Sequence, residues 1–151
     1  MPRHSENREM PYTARQMYDL VADVGSYPQF LPWTAAARIR SRKDFGDHEL
    51  MEADLVISFK VFRERFGSRV TLWPGDFRID TEYLDGPFRY LKSQWRFEDV
   101  AENRCKVEFF VDFEFKNRVL QGVIGAVFNE AMLRIVRAFE DRARALYGSR
   151  P

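Results

Sequence analysis

The sequence predicts an α+β protein: a strongly curved antiparallel sheet gripping one long C-terminal helix, with two short helices near the start. Three observations carry this reading. Between Ala37 and Phe115 apolar residues recur every second position, in segments separated by Gly-, Pro- and Asp-containing turns. Those turns span only a few residues, which suits antiparallel neighbours, because parallel pairs need long crossovers. Residues 117–147 then switch to helical spacing without a proline, and this helix is large enough to cover the apolar face of the sheet.

The elements follow in order. Residues 3–10 form an edge-strand candidate, since His4, Glu6 and Arg8 are polar. Thr13 and Gln16 make a capping box, with Tyr12 and Met17 placed as its hydrophobic staple. Met17, Leu20, Val21 and Val24 continue at helical spacing to Gly25. Ser26 to Leu31 predicts a second short helix, capped by Ser26 with Pro28 in its first turn and ended by Leu31-Pro32-Trp33.

Ile39 to Phe45 alternates and turns at Gly46-Asp47. Met51, Ala53, Leu55, Ile57 and Phe59 oppose Glu52, Asp54, Ser58 and Lys60, giving one dry and one wet face. Phe62, Phe66, Val70 and Leu72 mark the next strand, with Gly67 as a bulge. Trp73-Pro74-Gly75-Asp76 and Asp85-Gly86-Pro87 are turns on either side of Phe77, Ile79, Thr81 and Tyr83. Leu91, Trp95 and Phe97 form a further strand. The last carries Cys105, Val107, Phe109, Val111, Phe113 and Phe115 on one face, and Glu108, Asp112 and Glu114 on the other. The expected meander has five or six strands.

The long helix has Asn117 as N-cap and Gly148 just past its end. Its C-terminal half is amphipathic: Phe128, Met132, Ile135, Phe139, Ala143 and Leu146 form one stripe, and Glu130/Arg134 and Glu140/Arg144 are i,i+4 pairs. Residues 119–128 are apolar almost all round. Such a segment is either buried with close packing at Gly122 and Gly125, or it is a bendable lid that meets an apolar ligand or a membrane.

Composition narrows the function classes. A chain of 151 residues suggests one domain, 1–151. A net charge of +1, from 24 basic and 23 acidic residues, offers no electrostatic footprint for DNA. The one cysteine excludes a disulfide framework. No uninterrupted apolar run reaches about 18 residues, so no span is expected, and the polar N-terminus argues against a signal or transit peptide; a cytoplasmic setting follows. Fourteen Phe, six Tyr and three Trp require an aromatic interior, and rings can line a cavity as well as fill a core.

Catalytic chemistry is sparse. His4 and His48, the only histidines, read as solvated surface. Cys105 reads as a small core residue, and Gly122 and Gly125 lie inside a helix with no phosphate-loop partners. Glu108, Asp112 and Glu114 fit a wet sheet face. Glu52 and Asp54 share a side on which a cation could sit, although solvation explains them more simply. Arg38, Arg40, Arg42, Lys43, Arg63, Arg65 and Arg69 read as strand gatekeepers or as a basic footprint.

Tyr27-Pro28-Gln29-Phe30-Leu31-Pro32-Trp33, preceded by Leu20-Val21-Ala22-Asp23-Val24, resembles the opening of the coenzyme Q-binding START-domain family. Phe62-Arg63-Glu64-Arg65-Phe66, Asp85-Gly86-Pro87-Phe88 with Trp95-Arg96-Phe97, and Val111 to Lys116 resemble its later blocks in the same order. The resemblance implies a helix-grip fold around a deep apolar cavity. It also implies a non-catalytic role: binding ubiquinone or a similar isoprenoid lipid in support of respiratory electron transport, with no required cofactor. A related bacterial branch of ribosome-association toxins implies the alternative partner, the large ribosomal subunit, with inhibition of translation. The wider superfamily contains polyketide cyclases, but the sequence shows no acid–base set for one.

On this reading the cavity is lined from the sheet by Phe59, Phe62, Trp95, Phe97, Phe109 and Phe113. The helix adds Leu120, Ile124, Val127 and Phe128, and the preceding loop adds Leu31 and Trp33. The 20–27 helix, the Leu31–Trp33 loop and the 119–128 segment would form its mouth, in peripheral contact with the respiratory membrane. Val127→Trp is expected to block the cavity. The ribosomal alternative would use Arg38, Arg40, Arg63, Arg65 and Arg69.

Overall fold

The computed structural model describes residues 3–59 and 61–148. Seven strands form one antiparallel sheet: β1 (Arg3–Met10), β2 (Thr34–Asp44), β3 (Glu49–Phe59), β4 (Phe62–Trp73), β5 (Arg78–Asp85), β6 (Phe88–Ala101) and β7 (Arg104–Phe115). Their order is β1-β7-β6-β5-β4-β3-β2. The six strands β2 to β7 are the expected meander, and β1 adds a seventh. Residues 3–10 join as an edge strand, paired with β7 from Arg3 opposite Asp112 to Met10 opposite Cys105. Lys60, assigned to the wet face of β3, lies outside the described residues.

Helix α1 (Ala14–Ala22) opens with the expected capping box: Gln16 N–H donates to Thr13 Oγ1 at 3.1 Å, and Thr13 N–H donates to Gln16 Oε1 at 3.0 Å. It stops at Ala22 rather than Gly25. A 3-10 helix then runs over Val24–Gln29, where helix Ser26–Leu31 was expected. Ser26 lies inside it and donates to Asp23 Oδ2 at 2.6 Å, so Ser26 is not its cap. The Tyr27 hydroxyl donates to the carbonyl of Val21, fixing the 3-10 helix against α1.

The bulge expected at Gly67 appears as a register shift between Gly67 and Ser68 in the β4–β5 pairing. The Trp73 turn closes through Asp76 N–H to Trp73 O at 3.2 Å. Phe77 precedes β5 with a φ of 47°, so it belongs to the turn and not to the strand.

Helix α2 (Arg118–Tyr147) is capped by Asn117, whose side chain accepts from Val119 N–H and Leu120 N–H at 2.8 and 3.1 Å. Gly148, with a φ of 87°, ends it. The C-terminal half packs Val136, Phe139 and Ala143 onto the sheet, most of it into a core shared with α1 (Met17, Leu20, Val21) and β6–β7 (Phe97, Cys105, Val107). Leu146 lies outside the stripe, half exposed at 50%. Glu130 and Arg134 pair as expected at 3.2 Å. Glu140 and Arg144 do not pair: Glu140 meets Arg8 of β1 at 3.1 Å, and Arg144 meets Asp141 at 2.9 Å.

Candidate functional site

The N-terminal half of α2 and the sheet enclose a second, aromatic core around Phe66, Phe88, Val111, Phe113, Phe115, Leu120, Ala131 and Met132. Phe88 is its hub, with ring centroids 4.5 Å from Phe115, 5.2 Å from Phe66 and 5.7 Å from Phe113. This core does not close on α2. It leaves a cavity of about 210 Å³ whose wall is wholly apolar. The cavity crosses the grip from Phe109 on β7 to Phe59 on β3, with Ile124, Phe128 and Ile135 of α2 above it.

Six of the twelve expected residues line it: Trp33, Phe59, Phe109, Phe113, Ile124 and Phe128. The other six lie elsewhere. Trp95 and Phe97 belong to the first core, where Trp95 stacks on Phe109 with centroids 4.2 Å apart and meets Phe139 at 5.1 Å. Leu31 also packs on that core, while Phe62 and Leu120 pack on the aromatic core outside the cavity wall. Val127 lines an outer crevice of about 340 Å³ with Trp33, Phe59, Glu130, Ala131 and Arg134. A tryptophan at 127 would therefore narrow the entrance and leave the cavity itself empty. Phe66, Val111 and Phe115, together with Met132 and Ile135, were missed although they continue the predicted inward faces of strands and helix. Ala131 lines both cavity and crevice, a position that only the fold reveals.

The cavity and crevice share Trp33, Phe59 and Ala131, so the mouth lies between the loop before β2, the end of β3 and α2. The 20–27 segment takes no part, because Leu20, Val21 and Val24 are buried in the first core. Trp33 sits in the left-handed region with a φ of 62°, unfavourable for a bulky side chain. Ser58 N–H donates to its carbonyl at 2.8 Å, and its ring meets Phe59 edge-on at 5.4 Å.

Beside the mouth, the outward side of the first half of α2 is uncovered, although Leu120 is buried in the aromatic core. Val119 is 68% exposed, and a Cβ at Gly122 or Gly125 would meet nothing within 4 Å. The reading of close packing at these glycines fails, and an apolar, glycine-containing surface stands open to whatever covers it. By length and composition α2 could cross a bilayer, with a mean hydropathy of 1.4 over 18 residues. In the fold Ala131, Met132 and Val136 are buried against the sheet, so spanning would require stripping the helix from its grip.

Charges stay outside. Arg40 donates to Asp54 at 2.7 Å, Arg65 bonds both Asp54 and Asp85, and Arg69 reaches Glu52 at 3.3 Å. Three arginines of the expected basic footprint are thus neutralised, and Glu52 and Asp54 hold guanidinium groups instead of a shared cation. Burial would raise the Asp54 carboxyl, but its bonds to Arg40 and Arg65 outweigh this and hold it below the usual value. His48 is not simply solvated: its ring stacks between Phe45 and Trp73, at 4.9 and 4.5 Å. Cys105 is fully buried, and desolvation with the nearby Asp99 charge pushes its thiol up to about 11. Among the described residues no three His, Cys, Asp or Glu side chains gather as a metal site.

The profile of the family described as polyketide cyclase / dehydrase and lipid transport matches residues 10–140. The chain belongs to the polyketide cyclase/START-like family. Among its relatives is the ribosome association toxin RatA of Rickettsia prowazekii, 40% identical over 138 residues that cover 89% of this chain and 91% of that one. Coenzyme Q-binding protein COQ10 homolog B, mitochondrial, of Xenopus laevis is 32% identical over 149 residues, 96% of this chain and 59% of that one. The solution structure of the 18 kDa protein CC1736 from Caulobacter crescentus superposes with a TM-score of 0.81 at 34% identity, covering 99% of this chain and all of that one. The START-like assignment agrees with the helix-grip architecture and with the order of the sequence blocks that pointed to it.

Proposed function

We propose that this START-like protein binds a hydrophobic small molecule without transforming it, and that the molecule is ubiquinone or a similar isoprenoid lipid. The carrying observation is the cavity: about 210 Å³ of space with no polar side chain in its wall. A cyclase needs an acid or base where its substrate lies, and this wall supplies neither. An apolar cavity of ~150 Å³ stays dry and takes up benzene, so this one has room for a substituted ring or a short isoprenoid segment. A longer tail would leave by the Trp33–Phe59–Ala131 mouth and run along the exposed half of α2. That surface would also meet the membrane from which such a lipid is drawn, giving a cytoplasmic protein peripheral at the inner face of the respiratory membrane. The family's lipid-transport description and the name of the frog relative support this choice of ligand.

The names of the bacterial relatives favour a second reading, association with the ribosome and interference with translation. One experiment separates the two. Protein purified gently from native lysate is extracted with organic solvent for mass spectrometry, and the same lysate is sedimented with its ribosomes. A stoichiometric isoprenoid quinone supports the carrier. An empty protein that co-sediments with large subunits overturns it in favour of the second reading.

A further inference from the structure

Three arginines of the expected basic footprint are neutralised on the sheet, whereas a second group, on α2, is not. It borders a groove of about 430 Å³ between α2 and the segment before β2, with Arg134, Arg137 and Arg142 on the helix side and Phe30 and Pro32 facing them. Arg134 also lines the crevice at the cavity mouth, so groove and mouth are continuous along one side of the helix.

The charges in this groove do not cancel. Of its acidic neighbours, Glu130 is held by Arg134 at 3.2 Å and Asp141 by Arg144 at 2.9 Å. Arg137 is exposed and meets no carboxylate among the described residues. Arg142 donates to a neutral partner, Gln29 Oε1, at 3.1 Å, and its guanidinium lies 5.1 Å from the centroid of the Phe30 ring. That ring is itself fixed against Phe139 at 5.4 Å, so the Arg142 guanidinium is held in place with its charge uncompensated. On the far rim of the sheet the cations are engaged instead. Arg8 bonds Glu6 and Glu140 at 3.0 and 3.1 Å, and His4, expected to be solvated, lies 3.4 Å from Glu6 with its ring against Phe109 and Phe128.

Guanidinium groups pair with phosphate through two parallel N–H···O bonds, which suits them to the head groups of anionic phospholipids and equally to an RNA backbone. Two observations favour the lipid. The groove opens into the mouth of an apolar cavity, and the same helix carries uncovered apolar side chains, Val119 at 68% and Leu133 at 43% exposure. A bilayer buries such side chains beside its phosphates; an RNA backbone does not.

We propose that Arg137 and Arg142 dock this protein on anionic phospholipids, with the cavity mouth turned to the bilayer. The inference rests on the hydrophobic-ligand reading and names the membrane lipid from which the ligand would be collected.

The test is co-sedimentation of the full chain with quinone-free vesicles, either of pure phosphatidylcholine or of equal parts phosphatidylcholine and phosphatidylglycerol. The wild-type protein is expected to bind the anionic vesicles about tenfold or more tightly, and to lose that preference in high salt. Arg137→Gln is expected to weaken anionic-vesicle binding by about fivefold and Arg137→Gln/Arg142→Gln by about twentyfold, whereas Arg38→Gln, the same charge change on the outer face of the sheet, stays within about twofold. Equal binding to both vesicles overturns the docking surface, as does a loss with Arg38→Gln that matches that with Arg137→Gln. An Arg137→Gln/Arg142→Gln protein that keeps its vesicle binding and loses only co-sedimentation with large ribosomal subunits overturns it in favour of RNA. Calorimetric titration with decylubiquinone, a short-tailed ubiquinone, in the absence of vesicles separates this surface from the cavity, and both variants are expected to bind it as wild type does. A wild-type protein that takes up decylubiquinone and ignores anionic vesicles overturns the docking surface alone. One that docks through Arg137 and takes up no decylubiquinone supports the surface and overturns the hydrophobic-ligand reading.

Discussion

The Arg40 guanidinium lies across the α-carbon of Gly67, so closely that no Cβ could stand between them. Asp85 Oδ1 would also come within 2.7 Å of that Cβ, and Asp54 Oδ1 within 3.3 Å. Gly67 is thus the floor of an Arg40–Asp54–Arg65–Asp85 cluster that ties β2 through β5 on the outer face. Gly67→Ala is expected to displace Arg40 and cost about 1 kcal/mol, as for a strained surface ion-pair site. Urea denaturation measures it; an unchanged midpoint would show that the cluster moves aside freely.

The same cluster sets an acid limb. Because the folded Asp54 carboxyl titrates below its unfolded value of about 3.9, its stabilisation is complete above that pH and disappears as pH falls through the folded value. Asp54→Asn should therefore lower the melting temperature near pH 6 and narrow its gap to wild type below about pH 4. A gap independent of pH would assign the effect to packing.

Gly122 and Gly125 are helical glycines facing open space. Alanine at either position should stabilise the protein by up to about 1 kcal/mol and raise the melting temperature by roughly 2–4 °C. Destabilisation would mean that something packs there after all.

Ala131 is 7% exposed and faces the cavity. Ala131→Leu should occupy part of the empty volume, abolish binding of decylubiquinone, and leave the melting temperature within a few degrees, since the void accepts the added methylenes. Retained binding with an unchanged fold would exclude this cavity as the ligand site.

Cys105 should resist alkylation by iodoacetamide at pH 8 for as long as the fold holds, because its buried thiol is pushed up to about 11. Labelling at the rate of a free thiol would contradict that burial.

What could be read from the sequence was local chemistry. Thr13 with Gln16, Asn117, Gly148 and the Gly67 bulge each satisfy a backbone need that neighbouring residues define. The end of α1 depended instead on Asp23 and on the Tyr27 hydroxyl reaching back to Val21, a contact that helical spacing does not encode. Trp95 and Phe97 have the same alternation as Phe109 and Phe113. Whether a strand position faces filled core or empty space is decided by which half of α2 lies opposite, and period-two patterning is blind to that. The surroundings of Gly122 and Gly125 were hidden for the same reason: an apolar segment does not record what covers it.

Helix α2 is one continuous element with two unequal anchorages. Val136, Phe139 and Ala143 are buried against the sheet, whereas the turns from Asn117 to Phe128 are held to the aromatic core by Leu120 and otherwise face the void or solvent. Amide exchange in the unloaded protein should accordingly grade along a single helix, fast at its start and slow at its end. Cargo filling the void would supply the missing contacts and slow the fast end, so that occupancy is written into the stiffness of the first three turns. A partner that touches only the outside of those turns could then distinguish a full carrier from an empty one without ever touching what it carries.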